Sequence, residues 1–170
     1  IIYDARFFQY LEDNIEQVAS LANEAAAHMT ARSCEIKADV VSQDEKELGL
    51  RAILNFGHTA AHAIEKNTGY TKYNHGEAVA IGMVCAAYIS KALGMIDQSV
   101  VDRVISLILK LHLPIKAQGC TVEDLYRDIF HDKKTVGGKV KWILMESIGQ
   151  VCGNSNVPEE IVKGAMQKIV

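Results

Sequence analysis

The sequence predicts a mainly α, multihelical protein carrying one small β-hairpin near residues 139–153. Three observations carry this reading. Apolar residues recur at spacings of three and four along most of the chain, strict alternation is confined to KVKWILM, and Gly, Pro or Asn punctuates the ends of the periodic runs. The chain has 170 residues, about half of them apolar, so it can bury a core of ordinary size and is expected to form a single unit.

Each element follows from its own stretch. Residues 10–29 set Leu11, Ile15, Val18, Leu21 and Ala25 on one stripe, which predicts a single amphipathic helix. Residues 35–41 fit helix or strand. The Ala-rich run 57–66 is helical, and NTGYTKYNHG after it is a loop. Residues 77–93 form a buried helix that stops at Gly94, a suitable C-cap. Residues 98–111 repeat Val101, Val104, Ile105, Ile108 and Leu111 at helical spacing before Leu113-Pro114. Thr121-Val-Glu-Asp is a capping-box-like start to a helix ending near Asp132, with Asp at the fourth position. KVKWILM and Gln150 to Cys152 flank Gly149 as a hairpin, and Pro158-Glu-Glu opens a last helix.

Composition excludes several function classes. A formal charge of -3 and a pI near 6.1 give no global positive field for nucleic acid, so any anionic ligand must be held by local cations. The longest apolar run, AVAIGMVCAAYI, is well short of the roughly 20 residues a bilayer span requires and reads as a core helix. Cys34, Cys85, Cys120 and Cys152 form no CxxC pair, so neither a zinc knuckle nor a disulfide framework is indicated. They read as reduced, mostly buried thiols of a cytosolic protein. Ile1-Ile2-Tyr3, with no initiating Met or leader pattern, reads as the continuation of a longer chain.

The chemistry concentrates in NFGHTAAHAIE and NHGEAV. His58 and His62 share one helical face at i, i+4 and could reach one ion, whereas Thr59 stands where a hydrolytic zincin needs a glutamate. Bare spacing therefore favours a 58/62 pair, with His75 a third histidine nearby. Gly57 and Gly76, each beside a histidine, permit close backbone approach to a ligand. Lys37, Arg51, Lys133 and Lys134 form a basic set, mostly of the kind found on solvated surfaces. Lys37 stands apart because Ile36-Lys-Ala-Asp-Val-Val is largely apolar, with Asp39 a candidate partner. His28, His112 and His131 have no supporting neighbours. These residues alone lead to a helical domain with a metal or anion site near residues 51–77.

The same residues resemble a known family. LGLRAILNFGHTAAHAIE, HGEAVAIGM and DKKTVGGKVKWILMESIG are similar to the C-terminal domain of 3-dehydroquinate synthase, whose pattern R-x-x-L-N-x-G-H-[ST]-x-G-H-A-x-E followed by H-G-E-A-V is matched at Arg51, Leu54, Asn55, Gly57, His58, Thr59, His62, Ala63, Glu65, His75, Gly76, Glu77, Ala78 and Val79. Ala61 replaces a usual glycine, which implies slightly wider helix packing there. The resemblance implies a dehydroquinate synthase-like fold and an N-terminal NAD-binding domain outside this chain. It also implies a divalent metal, zinc or a cobalt-like ion, held by His58, His75 and a glutamate from a segment preceding Ile1.

The remaining implications concern substrate and reaction. His62 would face the substrate's phosphate end instead of the metal, against the bare spacing argument. Lys37, Arg51 and Asn55 match positions that hold the substrate's carboxylate and hydroxyls, with Lys37, His62 and Asn55 expected to be catalytic. One of Lys133 and Lys134 matches a lysine near the phosphate, and Glu47 would orient Arg51 through an i, i+4 pair. The implied reaction converts 3-deoxy-D-arabino-heptulosonate 7-phosphate to 3-dehydroquinate and phosphate, in a cytoplasmic homodimer with no nucleic-acid or membrane partner. Two other readings stand beside it: another sugar phosphate cyclase, such as a 2-deoxy-scyllo-inosose synthase relative, and a non-catalytic helical metal-binding module.

Overall fold

A computed structural model describes residues 1–46, 49–132 and 140–170, apart from the side chains of His131 and Asp132. Helices α1 (Ala5–Asp13), α2 (Ile15–Ala19) and α3 (Asn23–Gln43) lead into a 3-10 turn, Leu50–Asn55. Then follow α4 (His58–Asn67), α5 (His75–Ala92), α6 (Gln98–Lys110) and α7 (Val122–Asp132). Strands β1 (Trp142–Ser147) and β2 (Gln150–Asn154) precede the last helix, α8 (Glu159–Met166). The mainly helical class with one hairpin is thus the observed architecture.

The helix expected over residues 10–29 is instead broken twice. Asn14 turns its amide back to the Tyr10 carbonyl at 2.9 Å and closes α1, and the Ser20 hydroxyl reaches the Gln17 carbonyl at 3.3 Å beyond α2. Leu21 then adopts a left-handed φ of 54°. Short polar side chains offer the backbone an alternative to the helical ladder, so they end helices that apolar periodicity alone would continue. The ambiguous 35–41 stretch is helical and belongs to α3.

Helix α5 is the centre of the core. Eleven of its residues are buried, among them Ala78, Ile81, Val84, Cys85 and Ile89, and it packs against α4, α6, α8 and β1. The hairpin is anchored to it by Ser90, which is fully buried, donates to the Ala86 carbonyl and accepts the Met145 N–H at 2.8 Å. Strands β1 and β2 are antiparallel, with Ile143 opposite Gly153 and an irregularity between Met145 and Ser147. At the hairpin turn Gly149 has φ 88° and its N–H donates to the Ile1 carbonyl at 2.6 Å, so the first residues are tied to the turn. The expectation of mostly buried cysteines is corrected: Cys85 alone is buried, its thiol pushed up to about 12 by burial, while Cys120 and Cys152 are half-buried and Cys34 is exposed. All four are free. Among the described residues no helix is long and apolar enough to cross a membrane.

Candidate functional site

Two helix N-termini converge because two glycines let them. Gly57, the residue before α4, has φ 84°, and a Cβ there would lie 2.8 Å from both the Met83 nitrogen and the Val79 oxygen of α5. Across the contact, a Cβ on Gly82 would lie 2.9 Å from the Gly57 carbonyl carbon and closer still to its oxygen. Only glycine fits either position. Ala61, the departure from the family pattern, is fully buried with its backbone nitrogen 3.2 Å from that same Gly82 position, so close packing persists despite its methyl.

This approach sets His58 and His75, the first residues of α4 and α5, next to one another. Asn74 and Glu77 form a reciprocal capping box, with both bonds at 2.9 Å, so the glutamate of HGEAV fixes the start of α5 and with it His75. The ring centroids of His58 and His75 are 5.1 Å apart, those of His58 and His62 5.9 Å, and those of His62 and His75 6.1 Å. The three imidazoles are one cluster.

Glu65 organises that cluster. It is buried, and its carboxylate receives the Nδ1 of His75 at 2.9 Å and that of His62 at 3.2 Å. Burial alone would raise its pKa, but the hydrogen bonds from His75 and then His62 outweigh this and hold the carboxyl below its ordinary range. An ionised carboxylate only accepts, so both rings donate Nδ1–H to it. His58 does the same toward the Phe56 carbonyl at 3.4 Å. Burial, reinforced by the neighbouring histidines, lowers the His58 pKa, and its place at the start of α4 likewise disfavours the charged ring. Engagement of Nδ1 by a carboxylate or a backbone carbonyl is the outer contact that commonly orients a metal-binding histidine. By its chemistry this set of three imidazoles fits a divalent ion. Among the described residues no group of three or more His, Cys, Asp or Glu is arranged to hold one.

Beside the cluster lies an open cavity of about 490 Å³, walled by Asn55, His58, Thr59, His62, Lys141 and Ile143, with Ala52. Of the residues predicted from sequence, the structure brings Asn55, His58 and His62 to this cavity and His75 to its neighbouring rings. Others are placed differently. Lys37 is exposed on α3, against the apolar setting expected for it, because α3 turns that face to solvent. Asp39 does not pair with it and bonds Tyr3 and Gln43 instead. Arg51 does not wall the cavity; its guanidinium donates to the Glu45 carbonyl at 3.0 Å. Glu47, Lys133 and Lys134 lie outside the described residues.

Three residues escaped the sequence reading. Glu65 was only a motif match, since nothing in spacing reveals that a residue on α4 reaches a histidine on α5. Thr59, buried at the cavity wall, was read only as an absent glutamate. Lys141 was one polar position in an alternating strand, although the alternation does put it on the same face as Ile143.

Comparison with known proteins decides the family. A family model described as 3-dehydroquinate synthase C-terminal matches residues 1–135. The chain belongs to that family. Two curated relatives, both named 3-dehydroquinate synthase, agree: one from Shewanella sp. (strain MR-4) is 45% identical over 164 residues, covering 96% of this chain and 46% of the relative. The other, from Synechocystis sp. (strain ATCC 27184 / PCC 6803 / Kazusa), is 47% identical over 169 residues, covering 98% of this chain and 47% of the relative. The chain thus spans about half the length of the curated relatives it matches. In fold it is similar to a 2-epi-5-epi-valiolone synthase from Streptomyces hygroscopicus subsp. jinggangensis 5008, solved with NAD+ and Zn2+ bound. That likeness has a TM-score of 0.85 at 23% identity and covers 99% of this chain and 47% of that one. A 2-deoxy-scyllo-inosose synthase solved with carbaglucose-6-phosphate, NAD+ and Co2+ gives a TM-score of 0.66 at 24% identity, covering 79% of this chain and 39% of that one.

Proposed function

We propose that this chain is the metal- and substrate-binding helical unit of an enzyme that converts 3-deoxy-D-arabino-heptulosonate 7-phosphate to 3-dehydroquinate and phosphate. It works with an N-terminal NAD-binding domain, as a cytoplasmic homodimer. The observation that carries the reading is the convergence of His58 and His75, each with Nδ1 engaged, beside a cavity that also holds Asn55 and His62. His58 and His75 hold zinc or a cobalt-like ion together with a glutamate outside this chain.

A divalent metal held by His58 and His75 would supply Lewis acidity toward a substrate hydroxyl, and NAD would supply a transient hydride acceptor. The chain's own residues orient the substrate and answer its charge. Asn55 meets the substrate hydroxyls. His62, whose side chain is 62% exposed and whose Nδ1 is fixed on Glu65, presents Nε2 to the phosphate end. Arg51 serves the carboxylate by exchanging the neutral Glu45 carbonyl for a charged, bidentate acceptor, a stronger partner for its planar fork. Glu47 orients Arg51, Lys37 contacts the carboxylate end, and one of Lys133 and Lys134 contacts the phosphate.

Among the cyclases, identity of 45% and 47% to 3-dehydroquinate synthases against 23% and 24% to the valiolone and inosose synthases favours the dehydroquinate reaction. A non-catalytic metal module would have to bind its ion tightly through this chain alone, which two imidazoles do not support. The test is a zinc titration of the full-length enzyme with His58→Ala, His62→Ala and His75→Ala, alongside turnover. Loss of binding in the first and third, with retained binding but impaired turnover in the second, is expected. Zinc lost with His62→Ala and kept with His75→Ala would sink the assignment.

A further inference from the structure

Lys141 has no role in the reading above, yet it is the only permanently charged side chain among the described residues that wall the cavity. No described carboxylate faces the cavity beside it, and no hydrogen bond or ion pair among the described residues engages its ammonium. In a chain of net charge -3 this is a local positive spot at the one place where histidines and Asn55 converge.

Its position is built by the hairpin. Lys141 immediately precedes β1 and shares a face with Ile143, which also walls the cavity and is paired directly with Gly153 of β2. Because Gly153 has no side chain, the lysine stem lies diagonally across it: a Cβ there would be 2.5 Å from the Lys141 Cε and 3.4 Å from its Nζ. A lysine that merely served solubility would extend into water, with no need of a bare backbone position beneath its stem. Such packing of the aliphatic stem leaves the ammonium as the exposed, reactive end.

We propose that Lys141 is a further substrate-binding residue of this site, its ammonium taking an oxyanion of the substrate, with Gly153 the gap that seats it. The inference rests on the sugar phosphate reading. The oxyanion is either the phosphate or the carboxylate, and the two are separable by experiment.

In the full-length enzyme, Lys141→Met, Lys141→Arg and Gly153→Ala would be compared for KM, kcat, inhibition by inorganic phosphate and by 3-dehydroquinate, and phosphate affinity by calorimetry. Loss of one charge-assisted contact raises KM roughly tenfold or more with kcat near wild type in Lys141→Met, and Lys141→Arg recovers most of it. Gly153→Ala displaces only the flexible end of the lysine, so it keeps the melting temperature and reproduces part of the loss. Weakened phosphate inhibition with unchanged 3-dehydroquinate inhibition assigns the phosphate end; the converse assigns the carboxylate. Unchanged KM and inhibition constants in Lys141→Met overturn the proposal, and a loss in Lys141→Met that Gly153→Ala does not share overturns the cradle. A wild-type enzyme that fails to turn over the sugar phosphate defeats the preceding reading instead, and phosphate calorimetry then still decides Lys141.

Discussion

The α4–α5 corner and the α1–α3 arm are both helical, but they are held by different physics. Six of ten residues of α4 and eleven of eighteen of α5 are buried, and two backbones meet at Gly57 and Gly82 with no room for a methyl. In α3 only Ala25 and Val40 of 21 residues are buried, and the arm is tied down by polar links: Arg32 to Asp4 at 2.6 Å, and Tyr3 to Asp39. Close-packed backbone fixes positions to fractions of an ångström, whereas exposed polar tethers fix only an element's place. The histidine cluster sits in the close-packed corner.

The comparison breaks most directly at Gly82. In Gly82→Ala the methyl meets the Gly57 carbonyl, which is backbone and also accepts the Ala61 N–H at 3.1 Å in the first turn of α4. Overpacking of this kind is expected to cost about 3 kcal/mol or more, because neither helix can yield without moving the other. Urea denaturation measures it, and a loss below about 1 kcal/mol would show that the corner is looser than its geometry.

Next in size is Glu65→Ala. Removing the carboxylate frees the Nδ1 atoms of His62 and His75 together, and loss of an outer partner of this kind typically lowers metal affinity about 10- to 100-fold. Zinc titration of the full-length enzyme reads it. Unchanged affinity would mean that the capping box of α5 alone orients His75.

These contrasts also explain what the sequence made legible. The Asn55 to Glu65 motif, the apolar α5 and the alternation of β1 each announce themselves within one local stretch, so their elements were read correctly. The breaks at Asn14 and Ser20 were missed because side-chain competition for backbone groups leaves no mark on apolar periodicity. Lys37 was misplaced for a related reason: apolar neighbours imply burial only if something packs on them, and α3 keeps most of its faces in solvent. Glu65 and Lys141 depend on contacts between elements, which one-dimensional spacing cannot carry.

A smaller effect tests the arm. Asp4 caps α1 through the N–H groups of Arg6 and Phe7, both at 2.9 Å, and also receives Arg32. The Phe7 bond first, and then Arg32, hold its carboxyl below the ordinary 3.8 against the opposing effect of burial. A depressed folded pKa means the unfolded chain binds more protons over that window, so stability rises with pH there. Asp4's contribution is complete above its unfolded value and is lost as pH falls through the lower folded one. Asp4→Ala should cost about 1 kcal/mol near neutrality. Asp4→Asn keeps a cap but should flatten the acid limb of stability measured from pH 5 to 2.

The smallest expected effect is a gain, and it sharpens the argument about glycine. Gly164 lies in α8 on an exposed face, and a Cβ there would meet nothing within 4 Å. Its helical neighbours impose no left-handed angle, so the cost of glycine at this position is the extra backbone freedom it surrenders on folding. Gly164→Ala should therefore stabilise by roughly 0.5–1 kcal/mol, read as a higher urea midpoint at unchanged slope. The same chemical change that breaks the corner at position 82 would strengthen α8 at position 164. A destabilised Gly164→Ala would mean that α8 is more closely covered at this position than its open face beside Tyr88 and Ile161 implies.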